Sequence, residues 1–268
     1  MNTIIRFFRP QHAGNEANTR DTKDASLHSI EGNHPKITLL EFFQSQSCDS
    51  CPPANETLIN LVSTPDADTS YLLLTYHVTY WNHLSWRDTF SYQAFDGRQR
   101  EYMRKRKNPQ GLYTPMLIVN GRSIGVGNTK EAVSKLIREG QGSTNPIGDK
   151  ATPSRGRVYL SVETNQYGEK VVTVDATAVS SETGDGDLHV LVIRYLRSPA
   201  DVLVTRGENA GRTLRHRNVV TGVTRIGYLQ RECFKPYILP PNEKVGTEGR
   251  VVVVQDGAGG EIMDVVVV

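Results

Sequence analysis

The segment Cys48-Asp-Ser-Cys51 lies between two stretches of opposite character. Before it, Ile37-Thr-Leu-Leu-Glu-Phe-Phe43 is a compact apolar and aromatic run with the length of a buried strand. After it, Pro52 and Pro53 are compatible with a helix only in its first turn, where no intrahelical donor is lost, and Leu58, Ile59, Leu61 and Val62 supply an apolar face. The chain is therefore predicted to pass from strand to helix with both cysteines at or just inside the helix N-terminus. Unpaired amides there carry partial positive charge and stabilise a thiolate, the reactive form of cysteine.

Two rival readings of the pair stand beside redox chemistry. A zinc half-site needs two further ligands, and with Cys233 the only other cysteine a histidine such as His77 or His83 has to complete it. The other rival is a pair of buried thiols without chemistry. Three cysteines in 268 residues do not make a secreted disulfide scaffold. A net charge of +2 from nearly balanced acids and bases gives no electrostatic case for nucleic acid.

The opening Met1–Pro10 is interrupted by Arg6 and is too short for a signal core or a membrane span. A soluble, cytoplasmic protein without membrane association is expected. Arg6 and Arg9, with no acid before Glu16, keep a mitochondrial presequence as the alternative. The following segment to Pro35 is polar, and residues 1–35 are expected to form a mobile or surface-draped arm.

Tyr71–Val78 reads as a second, continuously apolar strand, of the kind covered on both faces. Just past its carboxyl end, where parallel sheets bind ligands, cluster His77, Tyr80, Trp81, His83 and Trp86. The aromatics suit either a substrate platform or packing under a loop, and His77 either a thiol proton shuttle or a satisfied interior histidine. Residues 91–107 read as a helix whose basic residues form a solvated face. Thr114-Pro115 leads into an apolar strand, Asn120-Gly121 supplies a type I′ hairpin turn, and a helix follows with Asn128 as expected N-cap and Gly140 as stop. This order, with Cys-x-x-Cys at the first helix, is that of a thioredoxin-like domain over residues 36–140.

Residues 141–156 are rich in Gly, Pro and Ser and read as a linker. Beyond them the chain turns to Val-rich strand candidates separated by turn residues, predicting a β-sandwich-like domain over 157–268. The expected fold class is thus an α/β thioredoxin-like domain followed by an antiparallel β-sandwich-like domain. Arg206–Arg217 reads as a loop, either plain surface or a lid whose Asn209 and Arg212 face the thiol cleft and bind an anionic group. Cys233 reads as a bystander.

Ser-Gln-Ser-Cys48-Asp-Ser-Cys51-Pro-Pro-Ala, His77-Val-Thr-Tyr-Trp81, Arg98-Gln-Arg100, Tyr113-Thr-Pro115, Val119-Asn-Gly121 and the stretch Arg206–Val220 together resemble the DUF1223 family of thioredoxin-like proteins. The resemblance covers most of residues 36–268. It implies a disulfide-active Cys pair, a cis Pro115 opposite it and a C-terminal β module.

The function expected is that of a thiol-disulfide oxidoreductase acting on a restricted substrate. Cys48 would attack and Cys51 resolve, with Pro115 and His77 in the catalytic set and Thr114, Tyr80, Trp81, Asn209 and Arg212 meeting substrate. Its partners are a disulfide or thiol substrate and a thiol reductant, and no cofactor or metal is expected. Asp49, between the thiols, should oppose thiolate formation and stabilise the disulfide relative to the dithiol, which predicts a reducing poise. The alternatives are a metal-binding or redox-sensing interaction protein and an enzyme converting a small metabolite with thiolate assistance.

Overall fold

The computed structural model describes residues 36–63, 70–107, 111–142, 156–181, 186–242, 244 and 246–268. The expected arm over 1–35 and most of the expected linker over 141–156 lie outside the described residues.

β1 (Ile37–Gln44) pairs in parallel with β2 (Ser70–His77) and antiparallel with β3 (Met116–Val119), which returns through a hairpin to β4 (Ser123–Gly125). The resulting sheet has the order β2-β1-β3-β4. Three helices accompany it: α1 (Cys51–Ser63), α2 (Gln93–Lys105) and α3 (Lys130–Gly140). The Asn120-Gly121 turn takes the positive φ values of 48° and 62° that its sequence requires. Helix α3 starts one residue later than expected, because the Thr129 side chain, and not that of Asn128, accepts from the Ala132 amide.

The remaining strands are β5 (Tyr159–Thr164), β6 (Lys170–Asp175), β7 (Leu188–Leu196), β8 (Ala200–Leu203), β9 (Thr213–His216), β10 (Val220–Leu229), β11 (Phe234–Ile238), β12 (Glu248–Asp256) and β13 (Ile262–Val267). They form antiparallel sheets of order β10-β7-β12-β13 and β11-β6-β5, and the separate hairpin β8-β9.

The expected fold class is corrected here. Among the described residues there are thirteen strands in four sheets against three helices, so the protein is mostly β and is not an α/β thioredoxin-like fold with an appended sandwich. The reason lies in the middle sheet, whose central strands β7 and β12 are covered on both faces. Leu191, Ile193, Val251 and Val253 pack with Phe43, Tyr76, Phe95 and Met116 of the N-terminal half, in one continuous core. The alternate residues Val190, Val192, Val252 and Val254 pack against Leu160, Val172 and Val174 of the outer sheet. Where both faces of a strand meet apolar neighbours, successive residues are apolar, which is why the middle of β12 carries Val251 to Val254 without interruption. The far face of the first sheet closes on α1 and α3 through Leu40, Phe42, Leu58, Leu117 and Leu136. Fully burying each such side chain contributes about 1.5–3 kcal/mol, and truncating Leu40 to Ala would cost about 2–5 kcal/mol.

Polar contacts also weld the halves. The Thr75 amide donates to the Asn218 carbonyl (3.1 Å), and Asn218 Nδ2 donates to the Leu73 carbonyl (2.8 Å). The outer edge of β2 is thereby covered instead of left open to pairing. At Gly121 a Cβ would stand 2.3 Å from the Gly260 carbonyl oxygen, so the β3-β4 turn can reach the β12-β13 turn only without a side chain.

Candidate functional site

β1 ends at Gln44, and the chain makes a tight turn in which the Cys48 amide donates to the Ser45 carbonyl (3.2 Å) and the Cys51 amide to the Cys48 carbonyl (3.3 Å). Helix α1 begins at Cys51. Both thiols are free, with Cys48 4% and Cys51 1% exposed. The Thr114-Pro115 bond is cis, and Cys48 Sγ lies 3.7 Å from the Thr114 carbonyl oxygen. Trp81 Nε1 donates to Thr114 Oγ1 (2.7 Å), which draws the aromatic segment onto the same spot.

The two thiols are driven apart electrostatically. A hydrogen bond from the Cys51 thiol, helped by Thr114 and Ser50, outweighs burial and brings Cys48 down to about 6. Burial pushes Cys51 well up, and the neighbouring Cys48 adds to that. The site therefore holds a thiolate at Cys48 and a proton at Cys51 at neutral pH. Asp49 is partnered by the Ser50 hydroxyl (3.1 Å), and the net shift of Cys48 is opposite to that expected from the intervening acid.

Asn209, fully buried, donates from Nδ2 to both the Gln46 and the Cys48 carbonyls (3.0 Å each), and accepts from Arg212 Nη1 (2.8 Å). The segment from the C-terminal half thus lies on the cysteine turn. Gly207 makes the approach possible, since a Cβ there would stand 2.8 Å from the Leu84 carbonyl oxygen and 3.4 Å from Trp86 Cβ. The expectation that all of 206–217 is loop is corrected, because Thr213–His216 forms β9.

His77 is fully buried, and Asp88 engages its Nδ1 (2.7 Å) while Gln44 Nε2 faces its Nε2 (3.3 Å). Neither ring nitrogen is left for a thiol proton. Tyr80 donates to Gln99 Oε1 (3.2 Å), and burial pushes its phenol up, so it stays protonated. Cys233 belongs to the outer core, away from the pair. Among the described residues no group of three His, Cys, Asp or Glu side chains is placed to hold a metal.

Four residues that sequence reasoning passed over complete the site. Asn55 Nδ2 donates to the Arg215 carbonyl (2.7 Å), which turns its Oδ1 toward Gln44 Nε2 (3.4 Å). That leaves Gln44 Nε2 as a donor only, and its two hydrogens serve His77 Nε2 and His216 Nδ1 (3.4 Å), which both accept, with none left for Asn55 Oδ1. The order is Asp88, His77, Gln44, His216. Burial, reinforced by His77, lowers His216 to about 3, which keeps it neutral. Burial opposes ionisation of Asp88, yet His77 and the Gln46 and Phe90 amides hold its carboxyl below the usual value. Asn55, one helical turn after Cys51, was within reach of sequence reasoning, and so was the alternation Leu214-Arg215-His216; Asp88 sits in an irregular loop and gave no signal.

Beneath Cys51, between α1 and β9, opens a cavity of about 350 Å³ lined by Cys51, Asn55, Glu56, Arg212, Leu214 and His216 among others.

Across residues 39–255 the chain matches the family model described as "Protein of unknown function (DUF1223)", and it belongs to that family. It is similar to the crystal structure of an Agrobacterium tumefaciens protein from a structural genomics programme, with 26% identity over 86% of this chain and 93% of that one and a TM-score of 0.63. HBP35 of Porphyromonas gingivalis shares the fold at 13% identity, covering 89% of this chain and 76% of that one, with a TM-score of 0.54. A search among curated proteins found no match. Among the described residues no helix is long and apolar enough to cross a membrane.

Proposed function

We propose that the protein is a thiol-disulfide oxidoreductase working through Cys48 and Cys51 on a restricted substrate. The observation that carries this is the pair of opposite shifts within one turn: a nucleophile ionised at neutral pH beside a thiol that keeps its proton. In the forward step the Cys48 thiolate attacks a substrate disulfide, forming a mixed disulfide and releasing one substrate half as a thiolate that takes up a proton. Cys51 then loses its proton and attacks the Cys48 sulfur. The second half leaves as a thiol, and the protein becomes a Cys48–Cys51 disulfide, which an external thiol reductant returns to the dithiol. Stabilisation of the Cys48 thiolate favours the reduced protein and so a comparatively oxidising pair. A cytoplasmic setting, with its thiol pool, suits this cycle.

Restriction follows from Asn209 lying on the cysteine turn, from Gly207 lying against Leu84 and Trp86, and from the low exposure of both cysteines. A folded protein substrate meets that segment before it meets Cys48. Thr114, with Trp81 bonded to it, flanks the nucleophile and offers a backbone carbonyl to an extended substrate.

Mild oxidation followed by peptide mapping tests the proposal. A Cys48–Cys51 disulfide is expected, and Cys48→Ser should abolish exchange with a small aromatic disulfide while insulin is reduced slowly by the intact protein. In the reduced protein, alkylation of Cys48 should rise with pH around a midpoint of about 6. An oxidised protein with both thiols still free overturns the proposal.

A further inference from the structure

The hydrogen-bond order from Asp88 to His216 has a consequence at its far end. With Nδ1 accepting from Gln44, the neutral His216 ring must carry its proton on Nε2, and that buried N–H has no partner. An unmet buried donor is costly, and a ligand acceptor would relieve it. His216 is 1% exposed and lines the 350 Å³ cavity, whose size is that of a small-molecule site. Arg212 lines it too, donating only from Nη1 to Asn209, so the rest of its fork has no hydrogen-bond partner among the described residues. Arg215, by contrast, is held by Asp201 through two bonds (3.0 and 3.1 Å). Glu56 lines the same cavity from the first turns of α1 and is exposed.

The geometry points to this cavity as a binding site for a small zwitterion, an amino acid or short peptide, whose carboxylate is received by His216 Nε2–H and Arg212 and whose ammonium group faces Glu56. A neutral imidazole N–H beside a guanidinium suits a carboxylate without burying a second charge of the protein. Ile59 and Leu214 line the cavity as well and give the ligand's carbon skeleton apolar contact. The site does not rest on disulfide exchange, and Cys51 contributes only to its wall.

Calorimetric titration of Cys48→Ser protein with glycylglycine tests this apart from any redox activity, with succinate and ethylenediamine as ligands carrying one kind of charge. Saturable binding of glycylglycine at about 1 mM or tighter is expected. Succinate and ethylenediamine should bind at least about tenfold more weakly, and so should glycylglycine to Arg212→Ala or Glu56→Gln. The His216 Nε2–H resonance should shift on saturation, and His216→Phe should abolish binding. If that variant fails to fold, the two substitutions at exposed positions carry the test. No saturation, equal binding of succinate, or unchanged affinity in the Arg212 and Glu56 variants overturns the inference.

Discussion

Two buried polar clusters join the halves of this protein, and they are built on different plans. In one, Arg98 donates from Nε to Glu41 (2.7 Å), from Nη1 to Gln255 (3.3 Å) and from Nη2 to Tyr102 (3.1 Å), while Tyr102 donates to the second Glu41 oxygen. Every nitrogen of the guanidinium and both carboxylate oxygens are used. In the other, Asp88 heads a hydrogen-bonded line through His77 and Gln44 that ends on the buried, unpartnered Nε2 of His216, beside a cavity. A closed charged cluster can only hold elements in register. A line with an unmatched end holds them too, and leaves one buried polar atom without a partner.

The comparison breaks most sharply at Arg98. Replacing it with Met strands the Glu41 carboxylate in the core, and chemical denaturation should show a loss of about 3–5 kcal/mol. A loss under about 1 kcal/mol would mean the cluster is solvated and is not a weld.

A smaller effect is expected at Asp88, whose Oδ2 accepts from both His77 and the Gln46 amide (2.7 Å each) and whose Oδ1 accepts from the Phe90 amide (2.9 Å). Asn has one acceptor oxygen and cannot serve both sides, so Asp88→Asn should cost about 1–3 kcal/mol. It should also disturb the His77 and His216 ring resonances, which Arg98→Met should leave in place. Unmoved imidazole signals would show that Asp88 does not set the tautomers.

A separation of another kind appears in acid. An unfolded histidine titrates near 6.5, whereas burial, with His77 beside it, keeps His216 down at about 3. Between those values the unfolded chain binds a proton that the folded one refuses, so stability falls as pH is lowered across that window, by up to about 1.4 kcal/mol per unit. Asp88 runs in the same direction lower down. Its folded value is depressed, so its contribution is present above the unfolded carboxylate range and is lost as pH falls through the folded one. His216→Phe should therefore flatten the decline between about pH 6.5 and 4 and leave the part below it. An unchanged profile in equilibrium unfolding would place the buried proton elsewhere.

Local order was legible in the sequence wherever a residue type admits few conformations. Pro52 and Pro53 fixed where α1 begins, Asn120-Gly121 fixed a hairpin, and the apolar runs of β1 and β2 marked them as strands covered on both faces. The position of Cys48 and Cys51 at the start of α1 was legible from their place between an apolar run and a Pro pair. The direction of the Cys48 shift was not, because hydrogen bonds from the Cys51 thiol and the Thr114 side chain, the latter 66 residues away, outweigh burial. Nor was the fold class. The run Val251 to Val254 says that both faces of a strand are buried, but not that one face meets Phe43 and Tyr76 while the other meets Leu160 and Val174. Sequence periodicity reports how many faces of an element avoid water, and only tertiary structure chooses the partner. The same holds for His216, Gln44, Asn55 and Asp88, ordinary polar residues each, whose roles come from hydrogen bonds closed across as many as 172 positions of chain.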